Sequence, residues 1–88
     1  MLFDRRSFGA VKNPSLLHAF GEHLRTLRKQ RGLSQQALAD EADLSWPTVQ
    51  RVEAGRQSAT LEVLAALAQA LGIPLPELMD FPEALAKA

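Results

Sequence analysis

The chain has 88 residues, 47% of them hydrophobic, with ten Lys/Arg against ten Asp/Glu and no cysteine. That length implies one small domain, and the missing cysteine excludes disulfides and thiolate metal sites. No apolar run approaches the roughly 18 residues of a membrane helix and no signal-peptide pattern opens the chain, so a cytoplasmic protein is expected.

Residues 1–14 mix apolar Leu2, Phe3, Phe8 and Val11 with basic Arg5, Arg6 and Lys12, without a clear period. This segment reads as an N-terminal arm, either disordered or packed on a neighbour, and Asn13-Pro14 marks its boundary. Ser15 is the expected cap of a first helix running to about Arg31. Its stripe is Leu17, Phe20, Leu24 and Leu27, and Gly32 stops it. Ser34 then caps a short second helix with Ala37, Leu38 and Ala42 on its apolar side, and the small Ala39 lets another helix come close. The pattern breaks at Asp43-Leu44, where Ser45 caps again and Pro47 suits the first turn of a third helix. Val49 and Val52 face inward, Trp46, Pro47, Thr48, Gln50 and Arg51 face outward, and Ala54-Gly55 ends the helix.

After a loop, Thr60 caps a fourth helix whose inward face is read as Leu61, Leu64, Ala65, Ala68 and Leu71. Gly72 and Ile73-Pro74-Leu75-Pro76 lead to a short fifth helix over Glu77, Leu78 and Met79. Nothing alternates with period two, so the fold class is all-α. The domain is drawn at residues 15–80, with 81–88 as a C-terminal tail.

Two short capped helices separated by a turn of about three residues are the sequence form of a helix-turn-helix, whose second helix enters the major groove of DNA. Charge is asymmetric along the chain. Residues 1–33 carry seven Lys/Arg against two acids, and residues 34–88 carry three against eight. This permits a basic and an acidic face, but ordinary solvated surface gives the same pattern.

The span from Phe20 to Met79 resembles the Cro/repressor-type (xenobiotic-response-element) helix-turn-helix family. The matching pieces are Leu27-Arg28, Gly32-Leu33-Ser34-Gln35, Leu38-Ala39, Leu44-Ser45, Val49, Arg51-Val52-Glu53, Gly55, and the spacing of Leu64, Ala65, Leu67, Ala68, Leu71 and Gly72. The resemblance implies a five-helix, lambda-repressor-like DNA-binding domain, usually dimeric, whose third helix reads base edges. Two positions depart from the pattern: Asp43 stands where the family often has glycine, and Trp46-Pro47 stand where it often has polar side chains.

Candidate roles follow. Gln35 would lie against a phosphate by the resemblance, the alternative being a solvated glutamine. Ser45, Thr48 and Arg56 are backbone-positioning candidates, Ser45 serving first as a cap. Arg51 is the leading candidate for direct readout, through paired bonds to guanine, and Gln50 suits adenine. Trp46 and Pro47 would meet a thymine methyl or a sugar edge, or Trp46 packs sideways and reads nothing. By the resemblance, Arg28 and Glu53 pair at a partly buried site.

Leu75, Leu78, Met79 and Phe81 are the expected dimer contact, because so small a domain should leave them uncovered. His18 and His23 lie about 140° apart on a helix, which suits no shared metal. Asp40, Glu41 and Asp43 read as a solvated face, and no cofactor or catalytic motif is found.

The function expected is a sequence-specific transcriptional regulator, a repressor in the first instance. It would bind double-stranded DNA as a homodimer on a palindromic operator, without an attached sensor domain. The rival reading is an antitoxin or other protein-interaction module whose partner is a toxin, which draws on the neutral charge and on Trp46-Pro47.

Overall fold

A computed structural model describes residues 13–82. Of the expected arm over 1–14 and tail over 81–88, residues 1–12 and 83–88 lie outside the described residues, while Pro14 already begins the first helix and Phe81 belongs to the core. Among the described residues five helices follow one another: α1 (Pro14–Gln30), α2 (Gln35–Ala42), α3 (Trp46–Glu53), α4 (Leu61–Leu71) and α5 (Leu75–Leu78). No strand occurs among the described residues, and none of their helices is long and apolar enough to cross a membrane.

Local chemistry sets the boundaries. Ser34, Ser45 and Thr60 cap α2, α3 and α4, each hydroxyl accepting from the backbone N–H three residues on. At α1 the cap is Asn13 rather than Ser15. Its Oδ1 accepts from the Leu16 N–H at 3.0 Å, and the Ser15 hydroxyl donates to the same oxygen at 3.0 Å. Pro14 decides between the two: its fixed φ suits the first helical position, so the chain is already helical at Ser15. The α2–α3 turn carries Asp43 at φ 57°, the left-handed conformation that a short polar side chain tolerates better than most.

α3 packs against both α1 and α2, while α4 backs α2 and carries α5. The core is built from Phe20 and Leu24 of α1, Leu38, Ala39 and Ala42 of α2, Val49 and Val52 of α3, and Leu67, Ala68 and Leu71 of α4. Ile73, Leu78 and Phe81 complete it.

Two expectations are corrected here. On α4, Leu61 is 71% exposed and Ala65 is exposed, while Leu67 takes the inward place. That helix is leucine and alanine at almost every turn, so its periodicity fits more than one face. Near the C-terminus, Leu78 is 0% and Phe81 3% exposed, both inside the domain's own core. Phe81 tilts against Phe20 at 5.8 Å between ring centroids and stacks near His23 at 5.4 Å, so neither Leu78 nor Phe81 offers its side chain to a partner. Leu75 and Met79 are half-buried.

α1 meets α3 closely at Gly21. A Cβ at Gly21 would lie 2.7 Å from the Val52 carbonyl oxygen, with the Glu53 carbonyl closer still. Both obstacles are backbone, which cannot swing aside. Gly21→Ala is therefore expected to destabilise the protein by about 1–3 kcal/mol or more despite alanine's better helix propensity. Urea denaturation checks this, and an unchanged midpoint would mean that the helices do not touch there.

Candidate nucleic-acid interface

The helix-turn-helix is held from beneath by a polar cluster. Arg28 on α1 donates through Nε to Glu53 Oε2 at 2.6 Å and through Nη2 to Oε1 at 3.0 Å. This is the two-pronged geometry that a planar guanidinium matches to a carboxylate. Arg28 Nη1 also donates to the Leu33 carbonyl at 2.8 Å, tying in the α1–α2 turn. Both residues are buried. Glu53 closes α3 while Arg28 lies near the end of α1, so the pair fastens these helices where Gly21 lets them touch.

Gln35, in the first turn of α2, is not a free surface glutamine. Its Nε2 donates to Glu53 Oε1 at 3.0 Å, and its Oε1 accepts from the Trp46 indole N–H at 3.3 Å. Trp46 opens α3 and remains 44% exposed. A continuous line of bonds thus runs from the Leu33 carbonyl through Arg28, Glu53 and Gln35 to the indole at the head of α3. No buried side-chain nitrogen or oxygen among the described residues lacks a partner.

On the outer side of α3, Pro47, Gln50 and Arg51 are exposed and Thr48 is half-buried, opposite the buried Val49 and Val52. The Ser45 and Thr48 hydroxyls share a hydrogen bond of 2.7 Å, and Ser45 accepts from the Thr48 N–H at 3.3 Å, so its capping role is in use. Gln35, Gln50, Arg51, Ala54 and Arg56 line one shallow concavity between the first turn of α2 and the outer face of α3. It contains two cations and no carboxylate.

Four of the interface candidates, Gln35, Gln50, Arg51 and Arg56, therefore line one concavity, with Trp46 bonded to it through Gln35 and the Arg28–Glu53 pair buried behind Gln35. The four residues expected at a dimer contact do not gather there, and two of them are core. Sequence reasoning missed Gln57, whose Oε1 accepts from Arg51 Nε at 2.7 Å. No periodic signal marks that bond, because it crosses a helix end. The histidines have local partners: His18 lies 3.7 Å from Glu22, and His23 lies 3.4 Å from the Glu77 carbonyl.

The sequence and fold are matched by known proteins. The family model described as a helix-turn-helix domain matches residues 19–81. The chain belongs to the Cro/repressor-type helix-turn-helix family. Within that family it is 39% identical over 59 residues to the HTH-type transcriptional regulator DdrOP3 of Deinococcus deserti, covering 67% of this chain and 46% of that one. The chain thus spans about half the length of that regulator. It is 32% identical over 63 residues to the control protein C.BamHI of Bacillus amyloliquefaciens, covering 70% and 78%. The crystal structure of the restriction-modification controller protein C.AhdI from Aeromonas hydrophila superposes with a TM-score of 0.69 at 42% identity, covering 70% of this chain and 94% of that one.

Removing one partner of the buried pair leaves a desolvated charge. Arg28→Met is expected to cost about 3–5 kcal/mol in urea denaturation. The double change Arg28→Met/Glu53→Met should recover only part of that, since the Leu33 carbonyl and the Gln35 amide each lose a partner. Strictly additive losses in the double-mutant cycle would show that the two side chains do not interact.

Proposed function

We propose that this protein is a transcriptional regulator, acting as a repressor, that binds a palindromic operator as a homodimer with α3 of each subunit in the major groove. The observation that carries this reading is the concavity of Gln35, Gln50, Arg51 and Arg56, cationic and free of carboxylates, on a helix-turn-helix frame. Glu53, the acid nearest to that face in sequence, is turned inward and neutralised by Arg28, so it does not repel phosphate. The relatives are named as regulators and controllers, which favours this reading over an antitoxin or interaction module. The protein would act in the cytoplasm and carry no catalytic activity of its own.

Roles divide by position. Arg51, with Gln50 and Thr48, reads base edges from the outer face of α3. The exposed part of Trp46, with Pro47, provides apolar contact for a thymine methyl or a sugar. Arg56 and Ser45 meet the sugar-phosphate backbone. Because both ends of the Gln35 amide are engaged inside the domain, its phosphate contact would come from the backbone N–H groups at the start of α2. Pairing of subunits uses a surface left apolar on α4: Leu61 and Ala65 share a face of that helix with Leu64, which lines a groove with Met79. Leu75 is the other half-buried member. By the family resemblance, dimerisation sets the two reading helices about 34 Å apart, one turn of DNA.

Trp46 is the single tryptophan, so its fluorescence reports binding directly. Titration with random duplex should weaken steeply as salt rises, because phosphate neutralisation releases counterions. Absence of any binding would sink the regulator reading. Arg56→Ala should weaken all sequences alike and lower the salt slope by about one charge per subunit. Arg51→Ala should relax discrimination at one base pair per half-site by about 1–3 kcal/mol and leave nonspecific binding intact. An unchanged consensus from randomised operators would move readout to Gln50, Thr48 or DNA shape.

The dimer surface has its own test. Leu61→Glu/Ala65→Glu alters exposed positions only, so it should give monomers by light scattering with little change in melting temperature. A variant that stays dimeric would place the contact elsewhere, the N-terminal segment being next in line.

A further inference from the structure

The sole side-chain hydrogen bond of Arg51 among the described residues comes from outside its own helix. Arg51 Nε donates to Gln57 Oε1 at 2.7 Å, and Gln57 is half-buried in the loop that follows α3. That loop is itself fixed. Gly55 adopts φ 72°, the Arg56 N–H donates to the Arg51 carbonyl at 2.9 Å, and the Gly55 N–H donates to the Val52 carbonyl at 3.1 Å. This is the paired bonding that locks a helix C-terminus. Gln57 therefore leaves the helix end in a defined direction, and its amide oxygen meets the guanidinium at its stem-side nitrogen, Nε.

We propose that Gln57 is a positioning residue for base readout, and that Arg51 contacts guanine through its two terminal nitrogens alone. This rests on the DNA-binding reading above. A guanidinium offers five N–H donors in a rigid plane, one on Nε and two on each terminal nitrogen. An unconstrained arginine can approach the O6 and N7 of guanine side-on, through Nε and one terminal nitrogen, or end-on through both terminal nitrogens. Gln57 takes the Nε donor and so removes the side-on approach. The end-on pair stays free and points away from the brace.

The chemistry of the brace matters too. An exposed arginine loses rotamer freedom when it docks, and holding it beforehand lowers that cost. A glutamine does so without neutralising the charge. A glutamate at this position would also accept from Nε, but it would offset the cation and repel the phosphates on either side.

The test has one arm without DNA and one with it. In the free protein, the Arg51 Nε–H resonance, identified as the one missing from Arg51→Lys, should exchange slowly with solvent. Gln57→Leu should make it exchange freely, and Gln57→Glu should keep it slow. Selection from randomised duplexes with Gln57→Leu should lower guanine enrichment at one position per half-site by about three- to tenfold. Other positions, nonspecific binding and melting temperature should stay as in the parent. Gln57→Glu should weaken every sequence. Free exchange of Nε–H in the parent protein overturns the proposal, and so does unchanged guanine enrichment in Gln57→Leu. A loss spread evenly over all positions overturns it in favour of a phosphate contact by Gln57. If the parent enriches no sequence while its Nε–H exchanges slowly, the regulator reading itself fails and Gln57 is a brace without a reading function.

Discussion

The buried ion pair between Arg28 and Glu53 is the constraint around which the remaining structure is arranged. Taking both charges out of water is costly, and their attraction offsets that cost only when the geometry is good and the remaining donors and acceptors are filled. Here they are filled, by two bonds between the pair, one from Arg28 to the Leu33 carbonyl and one from Gln35 to Glu53. Three of these bonds are donated by Arg28 of α1 and one by Gln35 of α2, and they end on the α1–α2 turn and on the last residue of α3. Satisfying the charges therefore fixes α1, the turn after it, the start of α2 and the end of α3 in one mutual arrangement. An apolar contact of equal area would hold the helices together but would not select a single register, since burial is non-directional. Gly21 belongs to the same device: the absence of a side chain brings α1 against the carbonyls of Val52 and Glu53, close enough for Arg28 to span the gap.

That arrangement carries outward to the surface that would meet DNA. Through Gln35 the buried charges orient the indole of Trp46, and at the other end of α3 the capping loop brings Gln57 to Arg51. Both ends of the helix are thus braced from outside it, by a glutamine in each case. The brace also shapes the electrostatics. A neutral chain is a poor nonspecific ligand for a polyanion, yet the concavity beside α3 holds only cations among its charged side chains. Burying Glu53 against Arg28 removes the one acid of α3 from the phosphate side.

The parts of this that were legible in the sequence are the local ones. Ser34, Ser45 and Thr60 announce helix starts because capping acts over three residues, and Gly32, Gly55 and Gly72 announce ends because their left-handed conformation is a property of one residue. Val49 and Val52 gave the inward side of α3 because polar residues surround them. What failed depended on packing at a distance. Periodicity cannot orient α4 when Leu61, Leu64, Ala65, Leu67, Ala68 and Leu71 offer two overlapping stripes. The fate of Leu78 and Phe81 depended on whether Phe20 and His23 leave room for them, which is a question of three dimensions. Asn13 and Ser15 both make good caps, and only the φ preference of the intervening proline separates them. Gly21 sits in a helical stripe where glycine reads as a mild defect rather than a contact point. Of the interface, the outward residues of α3 were legible, but their hydrogen-bond partners at Gln35 and Gln57 were not.

Trp46 and Pro47 show why such partners change the meaning of a sequence. On a surface that reads bases, an indole with one donor and a proline with none look misplaced, and with the neutral charge they were the argument for an interaction module. The structure gives the donor of Trp46 to Gln35, so the indole ties the head of α3 to α2 and spends its polar atom within the domain. Pro47 lies in the first turn, where no helical acceptor waits for an N–H, and it stiffens the entry to the helix. Both residues are thus accounted for by the rigidity of α3. On the proposed reading, selectivity for hydrogen-bonding base edges would then fall on Gln50 and Arg51, one turn further along, where the side chains are exposed and, among the described residues, the terminal nitrogens of Arg51 make no hydrogen bond. A helix built in this way would place its charged donor in its second half and use the polar atom of its first half to hold itself still.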